Sequence, residues 1–460
     1  MRRRLSKMGY LGIVGYLALL NTFMIVPRIT RAAINQPVKL SSAKTLNQQV
    51  ASADALLQTA IRRIVAMQQQ FKPEDVDWFA PSFFKTVTQE ELIKLFQQQH
   101  LILGEIERTR ICRTLDAHSG EIELISKLGY RLRAAIRLEP EPPHRCYYLV
   151  FNRIDTGSDT WELLQQDMAK LPGKHGAAVV ELKPTRKTLF DYQADTPLAV
   201  GSSFKLLVLL QLCDEIAAGK RKWQDIVNLC EAGRSLPAGI LQDWPPGSPV
   251  TLHTLAALML SRSDNTAADH LMLTVGRQRL ENKIAELSLK EPARNIPFLR
   301  TSELFKLKLI APESLAEQYS SMNKAERHSV LQKLCTIELQ APRVYKTPRF
   351  VDSIEWFFTG HDLIRIVENL YDSAEKAKAL EILAITRPFD IDDYSWDYLG
   401  FKGGAETGVL NLTLLGKLRK NQSWYVTTFT WNNTETKLDE AKWIEVVSRA
   451  LLIIERQSTR

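Results

Sequence analysis

The sequence predicts an α+β protein with two folded domains. Its 460 residues exceed what one ordinary hydrophobic core encloses. Residues 51–153 place helical periodicity ahead of a run of strand-like segments, the order expected of a sheet wrapped on helices. From Thr160 onward two strands come first, helices fill the middle, and strands with one helix close the chain, so that sheet must be assembled from both ends. The composition is globular, 45% hydrophobic and 24% charged, without low-complexity stretches. The net charge of +8 is interspersed with acids, and no basic run carries interleaved aromatics, which argues against a nucleic-acid partner.

Residues 1–33 read as a signal peptide or N-terminal anchor. Arg2, Arg3, Arg4 and Lys7 precede an apolar run, Leu11–Val26, that Pro27 and Arg28 stop. The run is long for a signal core and short for a spanning helix, and Thr30-Arg31-Ala32 is a weak cleavage site. The cationic end is expected to stay inside and the folded domains to be periplasmic or extracellular, released or tethered through residues 8–27. Residues 34–50 are polar without an apolar period and read as a linker.

The first domain is expected over residues 51–158. Leu56, Ile61, Ile64 and Val65 recur at helical spacing, a second helix follows near Glu90–Gln98, and Phe79–Phe84 reads as a buried turn. Strands are expected at Gly104–Leu115, Glu121–Ser126, Tyr130–Leu138 and Cys146–Asn152, with Pro140, Pro142 and Pro143 in the last hairpin loop. In the second domain, residues 159–460, a helix from Thr160 precedes strands at Ala177–Leu182 and Thr188–Gln193. A long apolar helix begins near Ser202, and helices dominate to about Leu370. Strands at Gly400–Lys402, Val409–Leu415 and Trp424–Trp431 and a helix over Leu438–Glu455 close the chain. The five cysteines are an odd number, so at least one thiol stays outside any intramolecular disulfide. No Cys/His spacing suggests a metal, and no cofactor is expected.

Three short patterns carry chemistry. Ser-x-x-Lys starts at Ser41, Ser82, Ser202, Ser321 and Ser373, so the pattern alone has no weight. Only Ser202 follows a strand pair and opens an apolar helix, where its N–H points out of a helix N-terminus toward a developing oxyanion. Lys205 lies one turn on along the same face, among apolar neighbours that disfavour its charge and make it a better proton acceptor. Ser263-Asp264-Asn265 joins an apolar helix, Leu252–Leu260, to another that Thr266-Ala-Ala-Asp269 opens in the manner of a capping box. By itself it is an ordinary helix–helix turn. Lys402-Gly403-Gly404 lies on a strand and is followed by Ala405. Each pattern is cheap; the ordered set, each in its required context, is not.

The chain from about Thr160 to its end resembles class A serine β-lactamases and penicillin-binding proteins, whose signature is Ser-x-x-Lys, Ser-Asp-Asn and Lys-Thr-Gly. The 61 residues from Ser202 to Ser263 suit class A. The whole chain resembles a narrower group with an N-terminal isomerase/cyclase-like, cystatin/NTF2-like α+β domain, on the strength of Phe79–Phe84, Asn295–Lys306, Glu355-Trp356-Phe357 and Lys402–Leu410. The resemblance implies a serine β-lactamase/transpeptidase-like fold, an antiparallel sheet plus a helical region. It implies Ser202 as nucleophile, Lys205 as its base, Ser263 as proton relay and Lys402 as its electrostatic partner. Asn265 would bind the substrate amide, Gly404 would line the substrate strand, and the N–H groups of Ser202 and Ala405 would form the oxyanion hole.

Two departures bear on turnover. Gly403 stands where class A enzymes carry Thr or Ser, so a hydroxyl that helps hold a β-lactam carboxylate is missing. The segment between the helix after Asn265 and Thr301 is short for the loop that carries the deacylating Glu. Glu291-Pro-Ala-Arg-Asn295 imitates that loop's pattern, and so short a match is weak evidence for a catalytic Glu291. Glu303 reads as an ordinary helix-start residue. The expectation is a hydrolase on a small acyl substrate, with slow release of β-lactam acyl groups. The alternatives are an esterase or thioesterase, or a silent ligand-binding protein; retention of all the reactive residues argues against the last. The isomerase-like fold is no evidence of isomerase chemistry in the first domain.

Overall fold

Two units meet in sequence between Asp159 and Thr160. The computed structural model describes residues 43–151, 154–339, 347–386 and 395–457. The leader read in residues 1–33 lies outside the described residues, among which no helix is long and apolar enough to cross a membrane.

In the first unit, α1 (Ala43–Gln69) and α2 (Gln89–Leu103) precede an antiparallel sheet of β1 (Ile106–Asp116), β2 (Ser119–Ser126), β3 (Arg131–Leu138) and β4 (Cys146–Phe151), paired in chain order. α1 begins at Ala43, so residues 43–50, read as linker, are helical; Ala, Leu and Gln are good helix formers and extend a helix anchored further on. A capping box starts α2: Thr88 Oγ1 accepts from the Glu91 N–H, and the Glu91 carboxylate accepts from the Thr88 N–H. Leu57, Ile61 and Ile64 of α1 share a core with Phe96 of α2 and with Ile122, Leu124, Leu132 and Ile136 of the sheet, and Phe79 and Phe83 join it from the intervening turns.

In the second unit, Thr160 caps α3 (Trp161–Ala169). β5 (Lys174–Lys183), β6 (Lys187–Tyr192) and the short β7 (Leu198–Ala199) lead into α4 (Lys205–Ala217). β8 (Ile226–Asn228) pairs with β9 (Pro249–Thr251), followed by α5 (Leu252–Ser261), α6 (Asn265–Val275) and α7 (Arg277–Glu286). Next come α8 (Thr301–Phe305), a π-helical turn (Lys306–Ile310), α9 (Glu313–Tyr319), α10 (Lys324–Leu334), β10 (Phe357–Phe358), α11 (Gly360–Asp372) and α12 (Lys376–Leu383). β11 (Trp396–Glu406), β12 (Val409–Leu418), β13 (Trp424–Asn432) and α13 (Glu440–Gln457) complete the unit. β11 is thus longer than the Gly400–Lys402 expected, because pairing with β12 sustains a segment whose glycines weaken its own strand signal.

The main sheet is antiparallel in the order β11-β12-β13-β5-β6, which joins both ends of the unit. Strand alternation divides its side chains between two layers. Ala178, Val180 and Val426 face the helical core with α4 to α12, whereas Ala177, Val179, Phe429 and Trp431 face α3 and α13. β11 is one of the two edge strands, and it borders the turn that carries Ser202.

Candidate active site

Ser202 does not open an α-helix directly. It sits in a 3-10 turn, Gly201–Phe204, from which α4 continues, and the Lys205 N–H donates to the Ser202 carbonyl. In such a turn residues three apart eclipse, so Ser202 and Lys205 share a face. The turn is held from two sides. The Val200 N–H donates to the Trp356 carbonyl at 3.0 Å, and the Trp356 ring stacks on Phe204 with centroids 3.9 Å apart. Beneath it, Ser203 Oγ donates to Asn411 Oδ1 at 2.6 Å, and Asn411 Nδ2 donates to Thr430 Oγ1 at 2.8 Å. Asn432 grips β7 through both backbone groups of Ala199, at 2.8 and 2.9 Å.

These anchors escaped the sequence reading. Their one signal is polar residues at alternate positions of otherwise apolar strands, Asn411 and Thr413 on β12 and Thr428 and Thr430 on β13, and that says only that something polar covers the face.

Lys205 is fully buried. Its Nζ donates to the Ser263 carbonyl at 2.7 Å, to Ser263 Oγ at 3.2 Å and to Asn265 Oδ1 at 2.7 Å. Burial first, and then the neighbouring Lys402, hold the amine well below the usual lysine range, against an opposing pull from Asp264 and Asp269. Lys402 reaches the same hydroxyl from the strand side, Nζ to Ser263 Oγ at 3.1 Å, and also meets the Gly403 carbonyl. Burial brings the Lys402 amine down to about 7. One hydroxyl between two amines of depressed basicity is an arrangement for passing protons, since an amine that has given up its charge can accept one.

Ser263 occupies the left-handed region, φ 53°, which is costly for a non-glycine residue and persists where the surroundings over-determine it. Asp264 supplies much of that. It, and not Thr266, caps α6 through the Ala267 N–H at 2.8 Å, while its other oxygen accepts from the N–H groups of Ile240 and Leu241 at 2.7 and 3.0 Å. Asp269 serves no capping box: buried within α6, it accepts from the Thr301 and Ser302 N–H groups at 2.7 and 3.0 Å. Asn265, expected to meet substrate, spends its Oδ1 on Lys205 and one Nδ2 hydrogen on the Leu236 carbonyl at 2.9 Å, which leaves one N–H to offer.

β11 approaches the turn at Gly404. A Cβ there would lie 2.0 Å from the Val200 carbonyl oxygen and 2.6 Å from the Ser202 nitrogen, so only glycine fits. The next residue, Ala405, is exposed at the rim beside Gly201. Glu291 is elsewhere in its behaviour: its side chain is 55% exposed and faces Arg294 at 3.7 Å. Glu303 caps α8 and is clamped by Arg277 and Arg300, a local structural use. Among the described residues no cluster of His, Cys, Asp and Glu could hold a metal ion.

Residues 160–387 match the model of the beta-lactamase enzyme family. Among solved structures, a β-lactamase from Sphaerobacter thermophilus DSM 20745 is 20% identical, with 64% of this chain and 96% of that one covered and a TM-score of 0.46. A mutant of PBP-A, in an acyl-enzyme complex with penicillin G, is 14% identical over 64% of this chain and 96% of that one, TM-score 0.46. A β-lactamase from Chitinophaga pinensis DSM 2588 is 16% identical over 65% and 98%, TM-score 0.45. No curated protein matches the chain. Residues 160–387 are thus similar to the beta-lactamase enzyme family, and the unit built on them has the serine β-lactamase/transpeptidase-like fold.

Proposed function

We propose that the second unit is a serine hydrolase that takes the acyl group of a β-lactam onto Ser202. The observation that carries this reading is the Ser263 hydroxyl held between the Lys205 and Lys402 amines, beside the turn that presents Ser202. Neutral Lys205 accepts the Ser202 proton as Oγ bonds to the lactam carbonyl carbon. The N–H groups of Ser202 and Ala405, on the turn and on the strand packed against it, receive the oxyanion in this reading. Ser263 delivers a proton to the departing nitrogen, and the two lysines re-protonate it. Asn265 orients Lys205 and offers its remaining N–H to the substrate amide. The absent hydroxyl at Gly403 weakens the hold on a lactam carboxylate, so acylation by a small activated ester should compete well.

Intact-mass measurement after incubation with a penicillin, and separately with a small activated ester, tests the reading. One acyl adduct is expected on the wild-type protein, none on Ser202→Ala, and undiminished adduct on Ser82→Ala and Ser321→Ala. Labelling that persists in Ser202→Ala refutes the assignment.

A further inference from the structure

An acyl-enzyme also needs an activated water, and the loop glutamate that the sequence offered, Glu291, lies on the surface. A second set of ionisable groups, unused by the motifs, stands at the end of β11. Lys308, in the π-helical turn, is 4% exposed. Its Nζ donates to Glu355 Oε1 at 2.8 Å and also to Glu406 Oε1. The Glu355 side chain is wholly buried, and its Oε2 receives no hydrogen bond from any donor. The Glu406 carboxylate, held by the same ammonium, is the neighbour of the Glu355 carboxyl. That contact is attractive only if Glu355 carries a proton, and burial, followed by the charge of Glu406, pushes its carboxyl well above the usual range. The set therefore holds two carboxyl groups beside one ammonium, with a proton favoured on Glu355.

The position of this set follows from the ladders. β7 and β10 pair Ala199 with Phe357, and the Val200–Trp356 bond extends that pairing, so Glu355 falls opposite Gly201, next to the nucleophile. On β11, Lys402, Gly404 and Glu406 lie on one face by alternation. At the middle position the missing Cβ points at the Ser202 nitrogen. Lys402 and Glu406 thus flank the Ser202 turn, each about 7 Å along the strand from Gly404. Of the three clustered side chains only that of Glu406 opens to solvent, 23% exposed against 3% for Lys308 and 0% for Glu355.

We propose that Glu406, oriented by Glu355 and Lys308, activates the water that hydrolyses the acyl group from Ser202. The water oxygen bonds to the acyl carbon while one of its protons passes to Glu406. The carbon–Oγ bond then breaks, the proton moves on to Ser202 Oγ, and free serine and a carboxylic acid remain. Glu406 is the catalytic residue of this step and Glu355 a positioning residue.

The proposal rests on the Ser202 reading, and the lifetime of the penicillin adduct separates the two. Glu406→Gln should acylate at the wild-type rate but hold its adduct at least about a hundredfold longer, the usual contribution of a general base. Glu355→Gln should lengthen the lifetime less, and Glu291→Gln not at all. Hydroxylamine attacks an ester without a base, so it should discharge wild-type and Glu406→Gln adducts equally fast. Release from Glu406→Gln at the wild-type rate overturns the proposal. So does slow discharge by hydroxylamine, which would place the defect in the oxyanion strand. No adduct on any variant, with penicillin or ester, sinks the Ser202 reading and this step with it.

Discussion

At Lys402 burial alone brings the amine down to about 7, so its charge is only half present at neutrality. The folded protein then binds fewer protons there than the unfolded chain, whose lysines titrate near 10.4. Stability contributed by this site therefore rises with pH between about 7 and 10. Lys205 is lowered too and acts in the same direction, whereas the buried thiols of Cys146 and Cys213 are raised and act in the other. The difference between wild type and Lys402→Met cancels the thiol contributions and keeps, besides that of Lys402, only the part of the Lys205 lowering that Lys402 causes, which has the same sign. In urea unfolding that difference should move in favour of the wild type as pH rises through the window, and a difference independent of pH would show that Lys402 is charged when folded. That Lys205, Ser263 and Lys402 meet was legible because Ser-x-x-Lys, Ser-Asp-Asn and Lys-Gly-Gly stand in fixed order on a helix start, an interhelical turn and a strand. Asn411 and Asn432 were not: an amide that braces a turn looks like any polar residue in a strand.

Among the elements, β11 has the least tolerance. At Gly404 an added Cβ meets three backbone atoms of the Ser202 turn, whereas at Gly403 it meets first the tip of the Phe401 ring, which can swing aside. Gly403→Ala should therefore keep acylation near the wild-type rate. Gly404→Ala should push the strand off the Ser202 turn and lower acylation roughly a hundredfold, the scale of a 1 Å misplacement. Equal rates for the two variants would mean that the strand does not set the nucleophile's position. Element types were readable from apolar period, but their junctions were not. Ser263, Asp264 and Thr266 are all competent caps in sequence, and Asp264 prevails because its second oxygen also ties down the Ile240–Leu241 backbone. The Lys308–Glu355–Glu406 set had no sequence signature at all, since its contacts span 47 and 98 residues and only the folded sheet edge brings them together.

Across the whole molecule, each unit has a hydrophobic core of its own, one in the first and the two faces of the main sheet in the second. Each unit should then unfold on its own: calorimetry of the full chain should show two transitions, one of them matching residues 160–460 expressed alone. A single transition absent from both parts would contradict this. The strands-helices-strands order of the second unit foretold that its sheet joins both ends, and the pairing of β13 with β5 does so. The seam is fastened further out, where Arg449 meets Asp167 at 2.8 Å and Trp161 Nε1 donates to Gln457 Oε1 at 3.2 Å. This closure sets a timetable on the ribosome. Ser202 is made 230 residues before Asn432, whose side chain grips the strand just ahead of it. At ~5–20 residues per second the interval is roughly 10–50 s. For the first 200 of those residues the nascent chain holds Ser202 and Lys205 but neither Lys402 nor the strand edge at Gly404 that packs on the serine's turn, so the serine is made long before the strand that completes its surroundings.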